Sequence, residues 1–97
     1  MATLFISVYR AAGSTALGTP SQEEVVAIGA GSLQSTAISG TRGDRVVRLY
    51  ADVDCFAHWG SNPTALTDGT AGRPLGADNP EYFRIPVGDI IAVIQRV

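Results

Sequence analysis

The 97-residue chain has no lysine among its seven basic residues, one cysteine, one histidine, one tryptophan, and charged side chains at only 16% of positions. Each shortage closes off a class of chemistry. With Cys55 alone, no internal disulfide forms, so packing must hold the fold. With His58 as the only imidazole, a zinc site would lean on carboxylates to reach the three or more protein ligands that the metal needs. The same His58 would have to be the base for any Ser or Cys nucleophile. The arginines are scattered from Arg10 to Arg96 and the net charge is −2, so the clustered basic footprint of nucleic-acid binding is missing. No apolar run approaches the ~18 residues of a membrane-spanning helix.

What remains is apolar and punctuated. Hydrophobic residues make up 45% of the chain, more than a lone solvated monomer of this size needs, which implies apolar surface turned toward partners. The length suits a single domain, 1–97, with one core. Apolar residues recur with period two in short bursts between Gly, Pro, Ser, Thr and Asn, and no segment keeps a 3.6 period for three turns. The pattern predicts strands over Thr3–Arg10, Glu24–Ile28, Leu33–Ile38, Arg45–Ala51, Val53–Trp59, Tyr82–Val87 and Ile90–Arg96, with further pieces concealed at Thr64–Thr67 and Arg73–Leu75. The fold class is therefore all-β: a small β-sandwich or jelly-roll-like domain of about seven to eight short antiparallel strands. The opening "MATLFISVYRAAG" has no basic residue before its apolar run and alternates Leu4, Ile6, Val8, so it predicts a strand and not a signal peptide.

Turn chemistry marks the boundaries. "SGTRGD", Ser39–Asp44, offers two glycines for positive φ, and "VGD", Val87–Asp89, predicts a tight hairpin joining the last two strands. "AAGSTALGTPSQ", Ala11–Gln22, is a long connection, with room for a helical turn after Thr19-Pro20 in "SQEE". Gly60–Pro80 is long for an irregular loop, which predicts a hidden strand or a functional loop.

The strand faces carry the functional hints. Leu4, Ile6 and Val8 form one face of the first strand; Phe5, Ser7 and Tyr9 form the other, where two aromatics need a cover. Val47, Leu49 and Ala51 oppose Val46, Arg48 and Tyr50. The last strand is apolar on both faces, so it is either covered twice within the chain or lies at a subunit contact.

The stretch "ADVDCFAHWGSNPTA", Ala51–Ala65, holds the only Cys, His and Trp. Residues three apart on a strand point to opposite faces, so Cys55 and His58 cannot share a metal, and Cys55 reads as a core thiol beside Val53, Ala57 and Trp59. Asp52, Asp54, Asp78, Asn79 and Glu81 are the oxygen ligands a calcium ion would use, but they lack EF-hand spacing and suit turn caps equally. "GAGSLQ", Gly29–Gln34, has neither the third glycine nor the following helix of a phosphate loop and reads as a turn. Pro63 rules out glycosylation at Asn62. The residues thus assign no catalytic group, no metal and no cofactor. Trp59 at a strand end is either a core anchor or a sugar-stacking platform.

The series "RVVRLYADVDCFAHWGSNPTA" followed by "RPLGADNPEYFRIPVGDIIAVIQ", Arg45–Gln95, resembles a strand-and-turn pattern found in small structural proteins of tailed bacteriophage particles. The resemblance covers about half the chain and involves no catalytic residues. It implies a β-sandwich attached to a virion as a capsid decoration or cement protein, or as a head-tail or tail accessory component. The implied partners are other copies of the chain and another virion protein such as the major capsid protein, with no role for nucleic acid or membrane. The implied location is the virion, assembled in the host cytoplasm. Under this reading Phe5, Tyr9, Tyr50 and Trp59 are interaction candidates, and Arg73, between Gly72 and Pro74, reaches a neighbouring carboxylate. Two competing readings remain. A carbohydrate- or ligand-binding sandwich would use Trp59, Tyr50 and Tyr82 as platforms, and a cupin-type metal enzyme is penalised by its single histidine.

Overall fold

The computed structural model describes residues 2–10, 21–40, 43–65 and 72–96. Among these residues, alternating side chains form eight strands: β1 (Thr3–Arg10), β2 (Gln22–Ala27), β3 (Leu33–Gln34), β4 (Asp44–Ala51), β5 (Cys55–Gly60), β6 (Arg73–Leu75), β7 (Glu81–Pro86) and β8 (Ile90–Gln95). They make two four-stranded antiparallel sheets, ordered β2-β1-β4-β7 and β3-β8-β5-β6. The all-β sandwich expected from the period-two pattern is the architecture found.

The strand order has a further regularity. The hydrogen-bonded ribbons β1/β2, β3/β8, β4/β7 and β5/β6 are those of a rolled-up hairpin, the winding of a jelly roll, with the strand that would close the roll placed first in the chain. Backbone bonds bring both ends to the same place: Ile28 N–H donates to the Ala2 carbonyl at 3.0 Å and Gln95 N–H to the Gly29 carbonyl at 2.9 Å. Ala2 and Gln95 thus flank one short connection between β2 and β3.

The core lies between the sheets. Leu4, Ile6 and Val8 of β1, Val47, Leu49 and Ala51 of β4, and Ile85 of β7 face Cys55 and Ala57 of β5, Leu75 of β6, and Ile91 and Val93 of β8. In β1, β4 and β5 these are the inner faces that alternation assigns, and every one of these side chains, in all six strands, is almost wholly removed from water. Both open sides of the sandwich are closed by polar or cationic side chains. On the β2/β3 side, the Glu24 carboxylate accepts from Thr36 N–H at 2.9 Å and from its hydroxyl at 2.6 Å, while Gln22 Oε1 accepts from Ser39 N–H at 3.0 Å. On the β6/β7 side, the Arg73 guanidinium lies 5.5 Å from the Trp59 ring and 5.2 Å from the Phe83 ring.

Several expectations are corrected. "VGD" does not close a hairpin: β7 and β8 belong to different sheets, and the turn from Pro86 to Asp89 carries the chain between them. Asp89 N–H donates to the Pro86 carbonyl at 3.2 Å and Gly88 has φ 93°, which fits a turn with glycine third; hairpins favour the primed turns whose twist matches their strands. Ser21–Glu24 makes no helical turn, because Gln22 to Glu24 pair with Val8 to Ile6; Thr19 and Pro20 lie outside the described residues. Leu33–Ile38 shortens to a two-residue strand. Its continuation still holds β8's beginning, with Ser35 N–H on the Ile91 carbonyl at 2.7 Å and Ile38 N–H on the Asp89 carbonyl at 2.8 Å. Of the concealed pieces, Arg73–Leu75 is β6, whereas Thr64 and Ala65 are not in a strand, and residues 66–67 are outside the described set.

The doubly apolar β8 is central and covered on both faces. Ile91 and Val93 point into the core, and Ala92 and Ile94 pack outside it against Ala65 and Phe56. The cover is residues 61–65, which turn back from Gly60 across the second sheet. Gln34 Nε2 grips this segment through the Pro63 carbonyl (2.7 Å) and Asn62 Oδ1 (3.1 Å), and Ser32 Oγ accepts from Ala65 N–H at 3.0 Å. Part of the Gly60–Pro80 stretch, expected to hide a strand or form a functional loop, therefore lies on its own sheet.

Candidate functional site

Among the described residues, none covers the outer face of the first sheet in this way. Alternation turns Phe5, Ser7 and Tyr9 of β1 outward with Val46, Arg48 and Tyr50 of β4, Glu23 and Val25 of β2, and Tyr82 and Arg84 of β7. Register assembles them into rows: Val25, Phe5, Tyr50; then Glu23, Ser7, Arg48, Tyr82; then Tyr9, Val46, Arg84. Phe5, Val25 and Tyr82 remain 41%, 62% and 54% exposed, so three of the four exposed large hydrophobic side chains among the described residues share this face.

The face is shaped as well as apolar. Phe5 and Tyr50 meet with ring centroids 6.0 Å apart and planes tilted by 59°, and the Arg48 guanidinium lies 5.3 Å from the Tyr50 ring. Tyr50 Oη donates to Asp78 Oδ1 at 2.8 Å. That bond to a carboxylate holds the phenol proton, and the Tyr50 pKa lies above its ordinary value of 10.0. Asp78 can present its carboxylate there because it sits at φ 57°, a left-handed position that Asp tolerates in turns. On the other side of β1, a shallow depression of about 340 Å³ is bordered by Phe5, Ser7, Glu23 and Val25.

Five residues were singled out from sequence, and they fall in two places. Phe5, Tyr9 and Tyr50 lie on this outer face, Phe5 exposed and the two tyrosines half-buried. Trp59 and Arg73 lie at the open β6/β7 side of the sandwich. Trp59 packs half-buried against the core with Phe83, ring centroids 5.0 Å apart, and Arg73 lies over both rings. A depression of about 430 Å³ opens beside them, lined by Ala57, His58, Trp59, Gly72, Arg73 and Pro74. Sequence does not single out Val25, because Val25 and Val26 are adjacent and alternation alone does not say which one faces out; the Glu23-Val25 spacing on a strand beginning at Gln22 is the usable signal.

The reactive side chains are separated or occupied. Cys55 points into the core and is fully buried, and burial pushes its thiol pKa up to about 11. His58, three residues on, belongs to the opposite face of β5. Of the calcium candidates, Asp52 and Asp54 cap backbone amides and Asp78 holds the Tyr50 hydroxyl: Asp52 Oδ1 accepts from Thr3 N–H at 2.8 Å, and Asp54 Oδ1 accepts from Ala77 N–H at 2.9 Å. Asp54 also pairs with Arg96 at 3.2 Å; the Ala77 amide first, and Arg96 second, hold its carboxyl below the usual range. Among the described residues, no group of three His, Cys, Asp or Glu side chains is placed to hold a metal.

The geometry thus offers one extended surface of apolar, aromatic and charged side chains, together with occupied or isolated reactive groups. Compared with protein-family models, with curated proteins and with solved structures, the chain finds no match.

Proposed function

We propose that this chain is a structural component of a tailed bacteriophage particle, a capsid decoration or cement protein or a head-tail or tail accessory part, which works by binding other proteins. The observation that carries the assembly reading is the outer face of the first sheet. Phe5, Val25 and Tyr82 stand exposed on one side of the molecule, while the comparable apolar face of β8 is sealed by the chain's own 61–65 segment. A small domain that covers one apolar sheet face and leaves the other open presents it to a partner. The phage particle itself is suggested by the strand-and-turn resemblance over Arg45–Gln95.

The competing carbohydrate reading uses Trp59, Tyr50 and Tyr82 as platforms; Tyr82 is exposed on the first sheet's outer face, whereas Trp59 lies at the open β6/β7 side and cannot share a ligand with it. The Trp59 ring packs against Phe83 and lies under Arg73, which leaves little of it for a sugar to stack on. The test is the protein composition of purified particles made from the genome that encodes this chain. The chain is expected at copy numbers in fixed ratio to a capsid or tail protein. Its absence from particles, with the whole pool soluble in the lysate, overturns the proposal.

A further inference from the structure

The outer face of the first sheet is complementary to itself. On one side of β1 lies the depression bordered by Phe5, Ser7, Glu23 and Val25; on the other stands the Tyr50 ring with Arg48 over it. Register puts Glu23 and Arg48 on opposite sides of Ser7, one strand away in each direction, and puts Val25 and Tyr50 on opposite sides of Phe5. Ser7 is 8% exposed, so the middle of this pattern is flat and low.

A two-fold axis running along β1, between two stacked copies, exchanges its two sides without shifting the rows. It therefore lays Arg48 of each copy on Glu23 of the other, and sets each Tyr50 against the Val25 end of the opposite depression. Phe5 meets Phe5, and Ser7 meets Ser7. Such an interface is isologous, the commonest form of homodimer, and stacks two sheets as aligned sandwich packing does. We infer that a second copy of this chain is the occupant of this face, held by two reciprocal Glu23–Arg48 ion pairs beside a row of Phe5, Val25 and Tyr50. The inference rests on the assembly reading above and names the surface that the reading requires.

Charge favours this partner. Neither Glu23 nor Arg48 makes an ion pair within the chain among the described residues, so both are available across an interface. Three rows on the three strands that overlap about this axis span roughly 15 Å by 20 Å, smaller than a stable interface and suited to a weak, reversible contact used within a larger assembly.

Charge exchange tests the axis directly. Sedimentation equilibrium of the full chain is expected to show dimers whose dissociation constant rises with salt. Glu23→Arg alone and Arg48→Glu alone each set like charges together twice and are expected to weaken pairing at least about tenfold. The double variant restores opposite charges and is expected to return to within about threefold of the unmodified chain. Val25→Asp, on an exposed position of an edge strand, should abolish pairing with the fold intact by circular dichroism. A chain that stays monomeric at ~1 mM, where even millimolar affinity would register, overturns the inference, as does a double variant as weak as either single one. Monomers that nevertheless occur on particles would end this face assignment and leave the assembly reading standing. Dimers with the charge-exchange pattern, absent from particles, would support this inference and end that reading.

Discussion

Truncating Ile94 measures how firmly the 61–65 segment closes the outer face of the second sheet. Ile94 points away from the sandwich core, yet it is only 7% exposed because Ala65 and Phe56 cover it. Ile94→Ala removes three carbons, about 2.4 kcal/mol at ~0.8 kcal/mol per buried methylene. The hole left behind adds roughly 1 kcal/mol, because neighbours relax only partly. The expected loss is about 3 kcal/mol, a large share of a net stability of roughly 5–15 kcal/mol. For a chain of this size, that lowers the melting temperature by roughly 12–24 °C. Urea unfolding followed by Trp59 fluorescence, at concentrations where the chain is monomeric, reads the change as a lower midpoint with an unaltered slope. Val25→Ala is the matched control on the uncovered face: at 62% exposure it should move stability by no more than about 0.5 kcal/mol. An Ile94→Ala loss below about 1 kcal/mol would show that the segment does not seal β8 and would remove the contrast between the two outer faces.

Gly40 has φ 148°, and an added Cβ would come within 2.6 Å of Arg45 Nη2 and 2.9 Å of Val87 Cγ2. Gly40→Ala should therefore cost about 1–3 kcal/mol in urea unfolding, whereas Gly29→Ala, with nothing within 4 Å, should be near neutral. Cys55 should resist maleimide in the native chain at pH 8 and react fully once urea unfolds it, because the thiol is buried and its pKa stands at about 11. Native Cys55 keeps its proton at pH values where the unfolded thiol, with an ordinary value of 9.0, loses it. Stability should therefore fall as pH rises between about 9 and 11, and Cys55→Ala should remove that part of the slope. Rapid labelling of the native thiol, or an identical slope in the variant, would contradict the burial.

How much of this was legible in the sequence follows from what decides each feature. Alternation alone assigned Leu4, Ile6 and Val8 inward and Phe5 and Tyr9 outward, because a strand with one buried face must separate its residues that way. Cys55 was legible as a core thiol for the same reason. The "VGD" turn was read as a hairpin because turn residues report local backbone shape, whereas the sheet that the next strand joins is a long-range packing choice. The double apolarity of β8 left intrachain cover and a subunit contact open, and the choice depended on Gln34 and Ser32 reaching across sequence separations of 29 and 33 residues. Arg73 looked like a free charge between Gly72 and Pro74; its place over Trp59 and Phe83 comes from pairing β6 with β5, which no local signal announces. The rows on the outer face of the first sheet became visible only once β2, β1, β4 and β7 were in register.

The most direct test of an assembly role is to strip particles of this chain and add the purified chain back, following its mass in the particle fraction. The expected result is saturable rebinding to a fixed stoichiometry, lost in Val25→Asp or retained by it according to whether the same face meets the particle. A chain that never rebinds, remains a monomer at high concentration, and instead shifts its Trp59 emission on titration with a glycan would contradict the account.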